Sequence, residues 1–123
     1  PTTMGVSEQV SLDQAMLLYK QNEYLDAKNA FNQLMISAPS DTIQYYYAMT
    51  LIELDEFAKA EKTLRKVEMK SSNYNQRRDW YLAMTLLQQK KMTEAKKELK
   101  KMADANQHLY KNKATSILEE LEE

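Results

Sequence analysis

The sequence predicts an all-α fold: an α-solenoid of three stacked helix pairs closed by a C-terminal capping helix, about seven helices in all. Small residues recur along the chain in two sets that keep one register. One set, which opens an A-x3-[F/L] pair with Phe31, Leu64 or Leu99, is Ala27, Ala60 and Ala95, spaced 33 and 35 residues apart. The other lies twelve residues earlier, at Ala15, Ala48 and Ala83. A period near 34 is typical of helix–turn–helix arrays.

The composition agrees with long helices joined by short loops. The 123 residues include one Gly and two Pro, which is too few for the turns of a β-rich fold. Hydrophobic residues make up 43% and charged residues 28% of the chain, as in an ordinary globular domain, and the length suits one domain. The absence of Cys excludes disulfides and thiolate chemistry.

The first helix pair follows a short leader. Residues 1–7 contain the only Gly and are expected to be flexible. Apolar positions at helical spacing then predict helices over 8–20 and 24–36, with Asn22 at the turn between them. Repeat 1 is accordingly placed at 8–40.

The second helix pair begins after Pro39, because proline cannot continue a helix. Asp41 is expected to cap its first helix, and Asp55 its second. The expected bounds are 42–54 for the first helix, Lys70 for the end of the second, and 41–75 for repeat 2.

A third pair and a final helix complete the chain. A polar break at 71–75 precedes the pair, and Thr93 is expected to cap its second helix. The last amphipathic stretch has no partner after it, and the end of a helical stack needs a lid with a polar outer face. The expected bounds are 76–89 and 93–103 for the helices of the pair, 76–107 for repeat 3, and 108–123 for the capping helix.

These residues resemble tetratricopeptide (TPR) repeats, over about residues 8–107. The family pattern places a large residue, a Leu-Gly pair and a Tyr in the first helix, followed by A-x3-F and a Pro. Repeat 2 matches this pattern at Tyr47, Ala48, Leu51, Ala60 and Leu64. The early Trp is replaced by Ser11, Gln44 and Asp79, and the Gly by Ala in every copy. The resemblance implies three TPR-like pairs that act as a protein-interaction module.

A finer resemblance concerns location. Residues 80–121 are similar to the closing segment of bacterial TPR domains that follow a single membrane span, in which the repeats lie on the periplasmic side. The chain begins at Pro1 without Met, so we interpret it as part of a longer protein whose anchor would be its only membrane attachment. This resemblance favours an extracytoplasmic location, with a cytoplasmic one as the alternative.

The resemblance also implies a concave groove lined by the first helix of each pair. Three rows of residues share the repeat period and are predicted to face that groove. The rows are Leu12, Tyr45 and Trp80; Met16, Met49 and Met84; and Tyr19, Ile52 and Leu87. Methionine adapts to varied apolar partners. The aromatic residues here are of the type enriched at binding hot spots: Tyr45, Tyr46, Trp80 and Tyr81. We therefore predict a non-enzymatic module whose apolar, aromatic groove binds a segment of another protein.

Two alternatives remain open for the groove and the domain. The Met row could instead pack between successive first helices and have no binding role. The domain could also self-associate, as a homodimeric scaffold joined through its groove or its capping helix. Arg77 is the only matching position suited to a terminal peptide carboxylate, so a carboxylate-clamp co-chaperone is not expected.

Charge is unevenly distributed, although the formal net charge is −1. Nine acids and three bases give residues 1–61 a balance of −6, whereas five acids and fourteen bases give residues 62–113 a balance of +9. Eight bases of this stretch are expected on second helices, without interleaved aromatics to stack on bases: Lys62, Arg65, Lys66, Lys70, Lys96, Lys97, Lys100 and Lys101. Nucleic-acid binding through the basic convex face is therefore a weaker alternative.

Catalysis, cofactors and small-molecule substrates are not expected. His108 is the only histidine, and we expect an ordinary surface or N-cap-adjacent role for it at the start of the capping helix. Gly5 alone cannot form a phosphate loop. His, Cys and carboxylates do not occur at metal-ligand spacing, so neither a metal nor an enzyme is predicted.

Overall fold

The computed structural model describes residues 10–122, and the regular structure in this range is entirely α-helical. Its seven helices are α1 (Leu12–Lys20), α2 (Tyr24–Ser37), α3 (Asp41–Glu53), α4 (Phe57–Leu64), α5 (Ser72–Gln88), α6 (Met92–Asp104) and α7 (Lys111–Leu121). Each helix packs against the next one along the chain, as in a helical solenoid. The predicted all-α solenoid is confirmed. The expected leader at 1–7 lies outside the described residues.

The two alanine sets form the packing side of the helices. All six members are fully buried: Ala15, Ala27, Ala48, Ala60, Ala83 and Ala95. The large residues that complete the A-x3-[F/L] pairs are also fully buried: Phe31, Leu64 and Leu99. Small side chains permit close approach of the helix axes, and the large ones fill the space beside them.

The turn between the two helices of a pair recurs three times with one backbone geometry. Each turn contains a residue with positive φ: Asn22 at 64°, Asp55 at 61° and Lys90 at 63°. The next N–H donates to the carbonyl five residues before it, as in a Schellman-type helix end. These bonds are Glu23 to Leu18 at 2.9 Å, Glu56 to Leu51 at 2.8 Å and Lys91 to Leu86 at 2.9 Å. The three turn residues are 33 and 35 residues apart, as are Ala27, Ala60 and Ala95. The backbone conformation therefore repeats together with the sequence.

Two first helices are capped by serines, and in one of them the serine takes the place of the predicted Asp41. The Ser11 side chain accepts a hydrogen bond from the Gln14 N–H at 3.1 Å, and the Gln14 side chain accepts one from the Ser11 N–H at 2.9 Å. This capping box starts α1 at Leu12, and the predicted start at residue 8 lies outside the described residues. Ser40 caps α3 by accepting from the Ile43 N–H at 3.2 Å, so the prediction for Asp41 is wrong.

The predicted caps of the second helices are also wrong. Asp55 is the positive-φ turn residue, and Glu56 occupies the N-cap of α4. Lys91 is the N-cap of α6, and Thr93 already lies inside that helix. The tight turn leads directly into the second helix, which leaves no room for a separate capping residue.

α4 ends at Leu64, short of the predicted Lys70, and α5 begins at Ser72, ahead of the predicted residue 76. The polar break therefore lies at 65–71, and the expected boundary between repeats 2 and 3 falls inside α5.

Side chains of α5 hold this connecting segment. The Asn75 side-chain amide makes hydrogen bonds to both backbone polar groups of Met69. It donates to the carbonyl at 2.6 Å and accepts from the N–H at 2.8 Å. Arg78 Nη1 donates to the Val67 carbonyl at 2.8 Å. These bonds satisfy backbone groups that a longer α4 would have paired internally.

The capping helix α7 covers the third helix pair. Ala114 is fully buried in a cluster with Ala83, Leu99 and Met102. The helix begins at Lys111, not at His108, because the Lys111 ammonium donates to the carbonyls of residues 103 and 105 at 2.6 and 2.7 Å. It thereby satisfies acceptors at the end of α6. None of the helices within residues 10–122 is long and apolar enough to cross a membrane.

Candidate binding face on the first helices

Aromatic side chains of the first helices make an unbroken series of ring contacts. Tyr46 meets Tyr19 edge-on at 5.8 Å between centroids and Tyr45 at 5.2 Å. Tyr45 in turn meets Tyr74 at 5.4 Å. The hydroxyls of Tyr46 and Tyr74 lie 3.4 Å apart. Such edge-to-face pairs each contribute roughly 0.5–1.5 kcal/mol beyond their burial.

Five of the six partly exposed aromatic residues of these helices make up the surface that we call the aromatic face; Tyr47, directly before the buried Ala48, is not included. The members of the aromatic face are Tyr19, Tyr46, Tyr74, Trp80 and Tyr81. Tyr46 and Tyr81 occupy equivalent places, each two residues before a buried alanine. The helical period thus places both rings beside the packing side instead of within it.

Burial keeps the phenols of this region neutral far above pH 7. Partial desolvation is the main cause that raises the pKa of Tyr19 to about 12, with the Glu53 carboxylate adding to it. Burial also raises the pKa of Tyr46 to about 12, helped by the contact with Tyr74. Burial is also the main cause that raises the pKa values of Tyr45 and Tyr81, and the positive charge of Arg77 offsets part of that rise at both. The hydroxyls therefore act as neutral hydrogen-bonding groups.

The three residues of the first predicted row differ in their exposure to solvent. Leu12 is 39% exposed at the start of α1, and Trp80 is partly exposed on α5. Tyr45 is only 4% exposed and belongs to the core between the second and third pairs. The prediction that Tyr45 lines an open groove is wrong, because neighbouring helices enclose its ring.

The methionine row is largely a packing row. Met49 is 6% exposed and lies in the same core cluster as Tyr45, so its predicted place on an open surface is wrong as well. Met16 and Met84 are partly buried, against the first core cluster and the capping-helix cluster respectively. The alternative interpretation of this row, packing between helix pairs, describes Met49 best.

The third row lies at the junctions between pairs. Its members, Tyr19, Ile52 and Leu87, are all partly buried against core clusters. Tyr19 contacts two clusters and joins the first pair to the second. Of the nine predicted residues, Tyr19 and Trp80 are the two that belong to the aromatic face.

The C-terminal end of the aromatic face is completed by α7. The Trp80 and Tyr110 rings stack nearly parallel, 4.8 Å apart at an angle of 11°. The Lys113 ammonium lies 5.9 Å from the Trp80 centroid and 5.8 Å from that of Tyr110. A surface cavity of about 340 Å³ opens here, lined by Trp80, Asn112, Lys113, Ser116 and Ile117. Cations over aromatic faces gain roughly 0.5–1 kcal/mol at exposed sites.

Three of these residues were missed by sequence reasoning. Tyr74 was assigned to a break because α5 was expected to begin later. Tyr110 and Lys113 belong to the capping segment, which has no equivalent in the repeats and so gives no register signal. Tyr46 and Tyr81 lie outside the three predicted rows, but the sequence indicates both as hot-spot aromatics. The 35-residue spacing that relates Ala48 to Ala83 places them in one register.

His108 lies in a polar cluster behind this end. Of its two predicted roles, the structure places it beside the N-cap of α7, Tyr110, and not at the surface. Its side chain is 7% exposed. Nε2 lies 3.3 Å from Asp79 Oδ2, while Nδ1 accepts a hydrogen bond from the Tyr110 N–H at 3.1 Å. Asp79 is also paired with Arg78, Nη2 to Oδ1 at 2.6 Å. The imidazole thus joins α5 to the start of α7, which positions Tyr110.

The basic residues on the second helices are partly neutralised. Arg65 pairs with Glu61 at 2.9 Å, and Lys100 lies 3.5 Å from Asp104. Lys101 lies 3.5 Å from Glu98.

Within residues 10–122, no group of three or more His, Cys, Asp or Glu side chains is arranged to hold a metal ion. No family model, curated protein or solved structure matches the chain.

Proposed function

We propose that the chain is a TPR-like, non-enzymatic interaction module that binds a segment of another protein on its aromatic face. The supporting observation is that partly exposed Tyr and Trp rings occur on the first helix of every pair, with Tyr19, Tyr46 and Tyr74 linked through the buried Tyr45 ring. Tyr and Trp combine a large apolar surface with a polar group and are the residue types most enriched at binding hot spots.

The rigidity of the face favours binding. Its rings are fixed by one another and by core clusters, so few side chains need to lose rotamer freedom when a partner docks. A partner segment that crosses several helix pairs contacts the aromatic residues of each in turn. That arrangement suits an extended or helical segment rather than a compact ligand.

The test uses peptides selected from a phage-displayed random library against the full chain, followed by titration of Trp80 fluorescence. Trp80 is the only tryptophan, so its emission reports on the face directly. Binding is expected to shift this emission, and Tyr81→Ala should weaken the affinity roughly tenfold or more, as for a hot-spot residue. Tyr45→Ala is unsuitable, because that ring is in the core.

Leu25→Ala is the matched control. Leu25 is 63% exposed on α2, so its truncation removes a similar apolar surface away from the aromatic face. The control should leave the affinity unchanged. Equal binding by Tyr81→Ala and the unsubstituted chain would place the site elsewhere, and the absence of any selected peptide would count against peptide binding altogether.

A further inference from the structure

Two cations lie over aromatic rings at the C-terminal end of the aromatic face. Arg77 Cζ is 5.4 Å from the Tyr74 centroid, and Lys113 lies over both Trp80 and Tyr110. Both cationic side chains are exposed. The ring faces hold the two charges at the surface and orient them beside apolar contact area.

Neither of these two cations has a carboxylate partner within residues 10–122. The next residue, Arg78, is paired with Asp79, and the cations at the helix-pair junctions are paired with glutamates. Arg77 and Lys113 form none of the ion pairs in the described part of the chain. Their charge is therefore available to a partner.

The cavity between α5 and α7 adds an apolar site next to this charge. Trp80 and Ile117 supply its apolar walls, and Asn112 and Ser116 supply hydrogen-bonding groups. No acidic side chain is among the residues that line it. A bound carboxylate would consequently meet attraction from Lys113 without a compensating repulsion from the cavity wall.

Building on the function proposed above, we propose that the aromatic face recognises a partner segment in which acidic residues flank an apolar or aromatic one. The apolar side chain occupies the cavity against Trp80, and the neighbouring carboxylates pair with Arg77 and Lys113. The excess of fourteen bases over five acids in residues 62–113 adds a long-range attraction for such a segment. A basic segment is disfavoured by the same charges.

A second copy of the chain is the competing occupant. Residues 118–123 read LEELEE, which has the proposed composition. Sedimentation of the full chain over a range of concentrations separates the two cases. A dimer whose formation is abolished by Arg77→Gln would identify the occupant as a second copy and overturn the proposal of a separate partner.

The test examines the peptides selected from the random phage-displayed library. We expect enrichment of Asp and Glu next to Leu, Phe or Trp, and an affinity that falls as salt is raised. The double variant Arg77→Gln/Lys113→Gln should weaken binding of an enriched acidic peptide roughly tenfold, through loss of both charge pairs. A matched peptide with Gln in place of its acids should bind the unsubstituted chain equally weakly.

The control makes the same charge change on the second helices, with Lys62→Gln/Lys97→Gln. Both residues are exposed there, and the control variant should bind the acidic peptide as the unsubstituted chain does. Peptides that are selected without acidic enrichment, or that tolerate the Gln replacement, would overturn this inference and leave the proposed function intact. Failure to select any peptide would contradict both.

Discussion

Lys28 and Glu56 form an ion pair across the junction of the first and second helix pairs, with Nζ and Oε2 2.7 Å apart. At the next junction the equivalent positions hold Glu61 and Lys91, also paired, at 3.0 Å. The same contact is therefore made twice with its charges exchanged. Stacking the first pair directly on the third would bring two lysines together at this point, so the exchange favours the native order of the repeats.

Reversing one charge should destabilise the first junction. Lys28→Glu places two carboxylates in contact and is expected to lower the free energy of unfolding by about 1 kcal/mol, since both side chains are partly exposed. The double change Lys28→Glu/Glu56→Lys should recover most of that loss. Urea unfolding measures both. Lys62→Glu, at an exposed position of α4, is the matched control, and an equal effect of that control would show that the junction contact is not responsible.

Acid should weaken the second junction through Glu61. Burial alone would raise the pKa of this carboxyl, but hydrogen bonds from Arg65, Lys91 and Gln89 outweigh it and lower the pKa. A lowered pKa gives stability that is present above the unfolded-state value of about 4.3 and is lost as the pH falls through the folded-state value. Glu61→Gln should therefore flatten the fall in unfolding free energy below about pH 5. An unchanged acid profile in that variant would contradict this account.

Alkali should destabilise the aromatic face. The pKa values of Tyr19 and Tyr46, raised to about 12, mean that the folded chain retains these protons longer than the unfolded chain does. Their contribution to the free energy of unfolding is complete below the unfolded-state pKa of about 10. It disappears as the pH rises toward the folded-state pKa. Tyrosinate absorbance should consequently appear later in the native protein than in urea. Tyr46→Phe should reduce the loss of stability between about pH 10 and pH 12.

Replacement of Lys90 by glycine should stabilise the fold. Lys90 has φ of 63°, a conformation that costs a residue with a Cβ roughly 1 kcal/mol and costs glycine little. Lys90→Gly is therefore expected to raise the thermal midpoint, by a free-energy gain of about 0.5–1 kcal/mol. Asn22→Gly should change less, because asparagine tolerates this region. Lys97→Gly, inside α6, is the control and should instead destabilise the fold by about 1 kcal/mol. A loss of stability in Lys90→Gly as well would contradict the assigned turn.

The imidazole of His108 should carry its proton on Nε2. A backbone N–H can only donate, so the contact from Tyr110 requires an unprotonated Nδ1 in the neutral ring. Nε2–H then donates to Asp79. Nitrogen chemical shifts from long-range ¹⁵N–¹H NMR at neutral pH distinguish the two tautomers. Signals of the Nδ1–H form would show that Tyr110 is held in another way.

The fold could be predicted from sequence because packing positions repeat. Ala15, Ala48 and Ala83 are small for the same steric reason in every pair, and the spacing alone reveals them. Helix ends were predicted less well, since they depend on contacts distant in sequence. The end of α4 is set by Asn75 and Arg78, which bond the chain beyond it from the next helix.

The candidate site was predicted only in part, because residues in one register need not share one environment. Leu12, Tyr45 and Trp80 hold equivalent positions, yet the first lies at an open end, the second between two pairs and the third beside α7. Exposure depends on what each neighbour covers. Lys113 lies over the Trp80 ring only because α5 and α7 come together, and no local pattern encodes that contact.

The recurring turn at Asn22, Asp55 and Lys90 fixes the length of each hairpin. The buried alanines of a hairpin are always twelve residues apart, as in Ala48 and Ala60. Between hairpins the interval changes, from 21 residues between Ala27 and Ala48 to 23 between Ala60 and Ala83. Insertions should accordingly be tolerated in the connections and not within the hairpins. Copies of the hairpin could then be added or exchanged without disturbing the turn between the two helices of each hairpin.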